Sequence, residues 1–184
     1  RTLPPRRPGV ITVGAFHSGT KHNIISDAAH LQLTVRTESP QDRTLLLDGI
    51  RRVAENMGRV AGLPDELLPE VVVSEESVPP TLNDKVLTER VMALWNGHFG
   101  EGVLFSGERL GMGAEDFPFF TVNPYIPSLY FAVGGTPPED FAAEKAGGPP
   151  VPSHHSPLFK IEPDASVTLG VEASVTALLD LLGS

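Results

Sequence analysis

The sequence predicts a mixed α/β fold of the α+β kind, and three observations carry that prediction. Two short runs, 10–16 and 30–38, are apolar or alternate in polarity and flank a polar turn, which is the pattern of an antiparallel strand pair. A capped amphipathic helix and a further β-branched run, Val71-Val72-Val73, follow them. Strand, strand, helix, strand is three quarters of a βαββαβ sandwich whose first strand and helix are missing, the first hint that the chain is part of something longer. From Thr81 onward the order changes to helix, strand and a long final helix. We therefore divide the chain into residues 1–80 and 81–184.

Each element has its own warrant. Residues 1–9 are rich in Pro and Arg and read as an extended lead-in. In the first strand, Val10, Thr12, Gly14 and Phe16 alternate with Ile11, Val13 and Ala15, so both faces are expected to be buried or nearly so. In the second, Leu31, Leu33 and Val35 face one way and His30, Gln32, Thr34 and Arg36 the other. Ser39-Pro40-Gln41-Asp42 is a helix start: Ser39 caps, Pro40 suits the first helical position, and Asp42 favours the positive end of the helix. Leu46, Ile50, Val53, Met57 and Val60 form one apolar stripe, and Gly62 and Pro64 stop the helix. In the second region Asn83 is expected to cap a helix running to about Gly97, with Val103–Ser106 a short strand and Gly107–Gly113 a loop. Asp116–Phe120 opens a short helix, Ser128–Val133 is expected to be a buried strand, and residues 136–152 a surface loop. Pro163 starts a last helix with the stripe Val167, Val171, Val175, Leu178 and Leu182, ended by Gly183.

Composition narrows the function classes. The chain has 184 residues, of which 40% are hydrophobic, enough to form a real core. The net charge of -9 argues against nucleic acid and anionic membranes as partners. No cysteine is present, which removes disulfide and thiolate chemistry. We expect no membrane span and no signal peptide, hence a cytoplasmic protein. The chain does not begin with Met and is expected to be a processed product or a fragment. It contains no GxSxG, P-loop or GxGxxG sequence.

The chemistry-bearing residues lie in three segments. Ser153-His154-His155-Ser156-Pro157-Leu158-Phe159 brings two of the six histidines together just before the last helix. Neutral imidazole is the commonest protein ligand for transition metals, although exposed histidine pairs without any role are commoner still. Gly113-Ala114-Glu115-Asp116-Phe117 carries two carboxylates, and Asn23-Ile24-Ile25-Ser26-Asp27 with Arg36 offers an amide and a guanidinium. Arg36 reads equally well as a solvated strand residue. Asp116 reads as a helix cap or a site residue, Glu115 as a structural residue or one that orients a metal ligand. His17 and His22 read as exposed turn residues, and Gly111, Gly113 and Gly134 as backbone requirements.

Taken together, G-x-E-D-F followed at this distance by H-S-P-x-F resembles the M20 family of metallopeptidases, in its amidohydrolase branch of hippurate hydrolases, N-acyl-amino-acid amidohydrolases and auxin-conjugate hydrolases. The resemblance runs nearly from end to end. It implies a partial ferredoxin-like βαββαβ lid, used for homodimerisation, followed by the C-terminal part of a dimetal peptidase catalytic domain. It implies two divalent ions, zinc or manganese, and a small N-acyl amino acid or peptide substrate. His155 matches the family's last metal-ligand histidine, and Asn23 and Arg36 match lid positions that grip the substrate carboxylate, which Arg can hold through two N–H groups. His154 matches nothing firm. No segment matches the family's earlier ligand segments or its general base. The alternative reading is a non-catalytic dimerisation or scaffold fragment, since one ligand cannot hold a catalytic ion.

Overall fold

The computed structural model describes residues 2–105, 107 and 111–183 and divides the chain into two compact units. The first comprises Arg1–Leu82 with Arg109–Ile126, the second Asn83–Glu108 with Pro127–Ser184.

The first unit is built on an antiparallel hairpin, β1 (Gly9–Ser18) and β2 (Ala29–Thr37). Its register holds a correction to the predicted faces. A bulge between Val13 and Ala15 leaves Gly14 without a partner across the ladder. Before the bulge, Ile11 and Val13 lie opposite Val35 and Leu33; after it, Phe16 lies opposite Leu31. Directly opposed residues share a face, so the extra residue turns Phe16 onto the side of Ile11 and Val13. The other face carries Val10 with Arg36, Thr12 with Thr34, Ala15 with Gln32 and His17 with His30. Neither face is deeply buried as expected for β1: Val13 is 51% and Phe16 62% exposed, because two strands cannot cover themselves.

Helix α1 (Pro40–Val60) begins as the sequence predicts. Ser39 Oγ accepts the amide of Asp42 at 3.1 Å and donates to its carboxylate at 3.0 Å. Asp42 is buried and also takes a hydrogen bond from Arg7 at 2.7 Å. The predicted stripe divides. Asp42, Leu46 and Gly58 are buried, whereas Val53, Met57 and Val60 are largely exposed. Inward residues at multiples of four let the helix approach closely. A Cβ on Gly58 would meet Pro69 Cδ at 2.7 Å and Leu68 Cδ2 at 2.9 Å. Leu46 closes the Gly9 end of the hairpin, where a Cβ on Gly9 would lie 3.3 Å from its Cδ1. The chain leaves α1 through Gly62, which has φ +77°. Val71–Val73 does not form the predicted third strand, because no ladder partner is present for it among the described residues.

The second unit packs α2 (Lys85–Phe99) on α4 (Pro163–Leu182). Asp84, not Asn83, caps α2, accepting the Leu87 amide at 2.9 Å, and Gly100 with φ +88° ends it two residues later than predicted. Val91, Trp95 and Ala173 form the buried cluster, flanked by Leu129, Phe131 and Ala177. Here too small residues face inward. The predicted stripe Val167, Val171, Val175, Leu178 and Leu182 is the outward face of α4, 48–82% exposed. By length and composition α4 is long and apolar enough to cross a membrane, with mean hydropathy 1.5 over an 18-residue stretch, which corrects the expectation that no such run exists. Arg90 and His98 of α2 nevertheless bind Asp180 and Glu172 of α4 at 2.7 and 2.8 Å.

Two further expectations change. Ser128–Val133 is mostly half-buried but forms no strand. Its edge is held by the Asn83 side chain, which accepts from the Tyr130 amide at 2.8 Å and donates to the Tyr130 carbonyl at 2.9 Å. Residues 136–152 contain a helix, α3 (Pro138–Lys145), with Pro at its start and Glu139 and Asp140 in its first turn. No strand forms over Val103–Phe105, and Ser106 lies outside the described residues.

Candidate functional site

The structure sorts the candidate residues by unit. In the first unit, Asn23 lies in the loop of the hairpin and not on a strand beside Arg36. That loop is tied down by hydroxyls: Ser26 Oγ accepts the Gly19 amide at 3.1 Å and donates to the Ala28 carbonyl at 2.7 Å, and Ser18 Oγ donates to the same carbonyl at 2.9 Å. The loop follows the His17–His30 end of the ladder, while Arg36 stands opposite Val10 near the other end. Six residues of strand separate His30 from Arg36, which is about 20 Å at the usual rise. Within one chain the amide and the guanidinium therefore do not converge on one small carboxylate.

Arg36 instead meets the acidic segment. Its guanidinium Nη1–H donates to the Met112 carbonyl, 76 residues further along the chain. Gly111 and Gly113 flank that carbonyl, and neither would bring a Cβ within 4 Å of another atom. Glu115 and Asp116 follow directly and are exposed. Asp116 occupies the cap position of the 3₁₀ turn Phe117–Phe120, where its backbone carbonyl accepts the Phe119 amide at 3.1 Å, but its carboxylate makes no capping bond. That weakens the purely structural reading of its side chain.

In the second unit, His155 is exposed in a tight turn closed by the Ser156 amide on the Ser153 carbonyl at 2.8 Å. Ser156 Oγ accepts the Leu158 amide at 3.1 Å, fixing the Ser-Pro-Leu-Phe continuation. The His154 and His155 rings lie with centroids 4.4 Å apart, tilted by 52°. His17 and His30 form an opposed pair on the polar face of the hairpin, and His22 lies in its loop.

The fit to a metal is incomplete. Among the described residues no three His, Cys, Asp or Glu side chains gather closely enough to hold an ion. Catalytic metal sites use three protein ligands or more, so His155 with its surroundings is not a self-sufficient centre. The partner that residue-by-residue reasoning missed is the Met112 carbonyl. Every residue carries such a group, and only the flanking glycines hinted that backbone is presented there.

No protein-family model matches the chain. Individual proteins do. The chain is 30% identical over 182 residues to the uncharacterized hydrolase y4tI of Sinorhizobium fredii, covering 99% of this chain and 40% of that protein. It is 32% identical over 134 residues to thermostable carboxypeptidase 2 of Saccharolobus solfataricus, covering 73% of this chain and 32% of the relative. Against hippurate hydrolase of Campylobacter jejuni it is 27% identical over 120 residues, covering 65% of this chain and 30% of that protein. Two solved structures share the fold. A putative aminohydrolase from methicillin-resistant Staphylococcus aureus superposes with a TM-score of 0.68 at 23% identity, covering 98% of this chain and 42% of the other. The Bacillus subtilis YXEP protein, described as a dinuclear metal-binding peptidase of the M20 family, superposes with a TM-score of 0.64 at 20% identity, covering 96% and 42%.

These likenesses define the class, an α/β segment that recurs within larger hydrolase-type chains. The chain is similar to hydrolases and carboxypeptidases in sequence, and shares its fold with a structure described as an M20 peptidase. It spans about two fifths or less of the length of the curated relatives it matches.

Proposed function

We propose that the complete protein is a metal-dependent hydrolase of amide bonds in N-acyl amino acids or small peptides. The observation that carries this reading is the co-occurrence of Gly113-Ala114-Glu115-Asp116-Phe117 and His155-Ser156-Pro157-Leu158-Phe159 in a chain similar along 99% of its length to a hydrolase. Amide cleavage is the common chemistry in the names of several other relatives, carboxypeptidase, deacetylase and hippurate hydrolase. In this reading His155 supplies one neutral nitrogen ligand to a pair of zinc or manganese ions whose remaining ligands come from outside the described residues. Glu115 orients a metal ligand, and Arg36 binds the substrate carboxylate through the N–H groups that Met112 leaves available, since a guanidinium offers five. Asn23, at the far end of the hairpin, reaches a carboxylate in a different place, which suits an assembly in which two copies contribute to one site. The hairpin's two outer edges are unpaired within the described residues, and such edges favour strand addition between copies.

The test is metal content and turnover of an N-acetyl amino acid by the complete protein, with and without His155→Ala. Loss of both supports the reading, and wild-type turnover in the variant rejects His155 as a ligand. A second reading is favoured by the lack of a three-ligand cluster among the described residues: the 184-residue chain by itself acts as a dimerising scaffold and not as a catalyst.

A further inference from the structure

The geometry points to Arg36 as a positioning residue that holds the Gly111–Asp116 loop, and with it Glu115, against the hairpin, in addition to any contact it makes with substrate. The inference deepens the amide-hydrolase reading and rests on it for its catalytic consequence, but not for its structural one.

Four observations combine. Arg36 is exposed on β2 at the register position opposite Val10, so its long side chain is not committed to a core. Its guanidinium donates to the carbonyl of Met112, a bond that spans 76 residues. Among the described residues the glycines at 111 and 113 bring no side chain, and a Cβ at either would meet nothing within 4 Å on either side of the acceptor. A chain with glycine at both flanks samples many conformations, and one charge-assisted hydrogen bond at the centre removes most of that freedom. Finally, the segment groups with the hairpin and α1 in one compact unit.

The carboxylate-bearing residues begin three positions beyond Met112, at Glu115. A peptide unit spans 3.8 Å between Cα atoms, so releasing Met112 frees Glu115 to move by several ångströms. Catalytic geometry tolerates far less than that: about 1 Å of misplacement costs on the order of a hundredfold in rate. Arg36 has the donors to hold the loop carbonyl with one N–H and a substrate carboxylate with others. One side chain would then couple recognition of the carboxylate to the placement of Glu115. A lysine offers a single ammonium centre without the planar fork and could keep the loop while losing the two-pronged hold on substrate.

The experiment is amide hydrogen exchange on the full 184-residue chain, read by mass spectrometry on peptides covering 111–117, 9–18 and 29–37, in wild type, Arg36→Met and Arg36→Lys. Methionine keeps the length and packing of the stem and removes every donor. The expected result is exchange in 111–117 faster by about tenfold in Arg36→Met, close to wild type in Arg36→Lys, with the hairpin peptides unchanged. Wild-type exchange of 111–117 in Arg36→Met would overturn the proposal, as would an equal acceleration of the hairpin. In the complete protein, a positioning role lowers kcat of Arg36→Met both for an N-acetyl amino acid and for its carboxamide, which lacks the carboxylate. A pure recognition role raises KM for the acid alone, and that result would overturn the catalytic half. If the wild-type protein hydrolyses neither compound, the amide-hydrolase reading fails while the exchange result still decides the loop contact.

Discussion

The indole Nε1–H of Trp95 donates to the backbone carbonyl of Ala173 at 2.9 Å, and both residues are buried. A mid-helix carbonyl of α4 thus accepts a side chain from α2 within the buried cluster where the two helices meet. The small side chain of Ala173 permits that approach, and the ring of Phe131, 4.8 Å away and tilted by 61°, closes the other side of the indole. Trp95→Phe keeps most of the apolar area and deletes the donor. It should cost about 1–2 kcal/mol, while Trp95→Ala should cost about 3–5 kcal/mol through the cavity as well. Urea denaturation followed by far-UV circular dichroism measures both. Equal stability of wild type and Trp95→Phe would show that the bond contributes nothing net.

Two glycines should respond differently to alanine. At Gly58 alanine gains about 1 kcal/mol of helix propensity, but its methyl would meet Pro69 Cδ at 2.7 Å, and overpacking against a rigid ring costs about 1–3 kcal/mol. The net change should be destabilising. At Gly14 a methyl would find its nearest neighbour, the Gln32 carbonyl oxygen, at 4.0 Å, so Gly14→Ala should be neutral within about 0.5 kcal/mol. Thermal unfolding of the two variants, compared side by side, checks the ranking.

The start of α1 offers a graded test. Ser39→Ala removes a cap and should cost about 1 kcal/mol. Asp42→Ala removes the buried carboxylate that receives both Ser39 and Arg7, and should cost more, because the Ser39 hydroxyl and the Arg7 guanidinium then lose their acceptor. Urea midpoints should fall in the order wild type, Ser39→Ala, Asp42→Ala. A reversed order would mean that Asp42 is a liability and not an anchor.

The purified 184-residue chain should retain no stoichiometric zinc or manganese after dialysis, because His155 offers one ligand where three are needed. Elemental analysis decides this, and a full equivalent of either metal would show that ligands converge beyond those identified.

Light scattering should find the chain self-associated at high concentration, through the open edges of β1 and β2. A species that stays monomeric throughout the concentration range would remove the hairpin as a dimerising surface.

Much of the fold was legible because local chemistry wrote it. Ser39-Pro40 announced α1, Pro163 announced α4, and the alternation of β2 was read nearly to the residue. The failures share a physical cause. A strand exists only with a partner, so Val71–Val73 and Ser128–Val133 carried the composition of strands without the ladder to make them so. The stripes of α1 and α4 were found, but periodicity cannot say which side faces in. In both helices small residues such as Gly58 and Ala173 are buried, and most of the large stripe residues, Leu46 excepted, face outward. Helix α3 was hidden by its own Pro and acid content, which served as its start signal and not as a loop marker. At the candidate site, motif and spacing singled out His155, Glu115 and Arg36. The bond from Arg36 to Met112 was invisible, because its acceptor is backbone and its span is long-range.

The unpaired Gly14 has a consequence for how this hairpin tolerates changes in length. Strand residues alternate sides as even and odd numbers do, and the extra residue switches odd to even halfway along β1. Deleting Gly14 would make Val13 and Ala15 adjacent, still opposite the adjacent Leu33 and Gln32, so Ala15 would stay on the polar face and Phe16 on the apolar one. Gly14 is therefore a position where β1 can lose a residue without a matching loss in β2: the spare residue is already stored in the bulge.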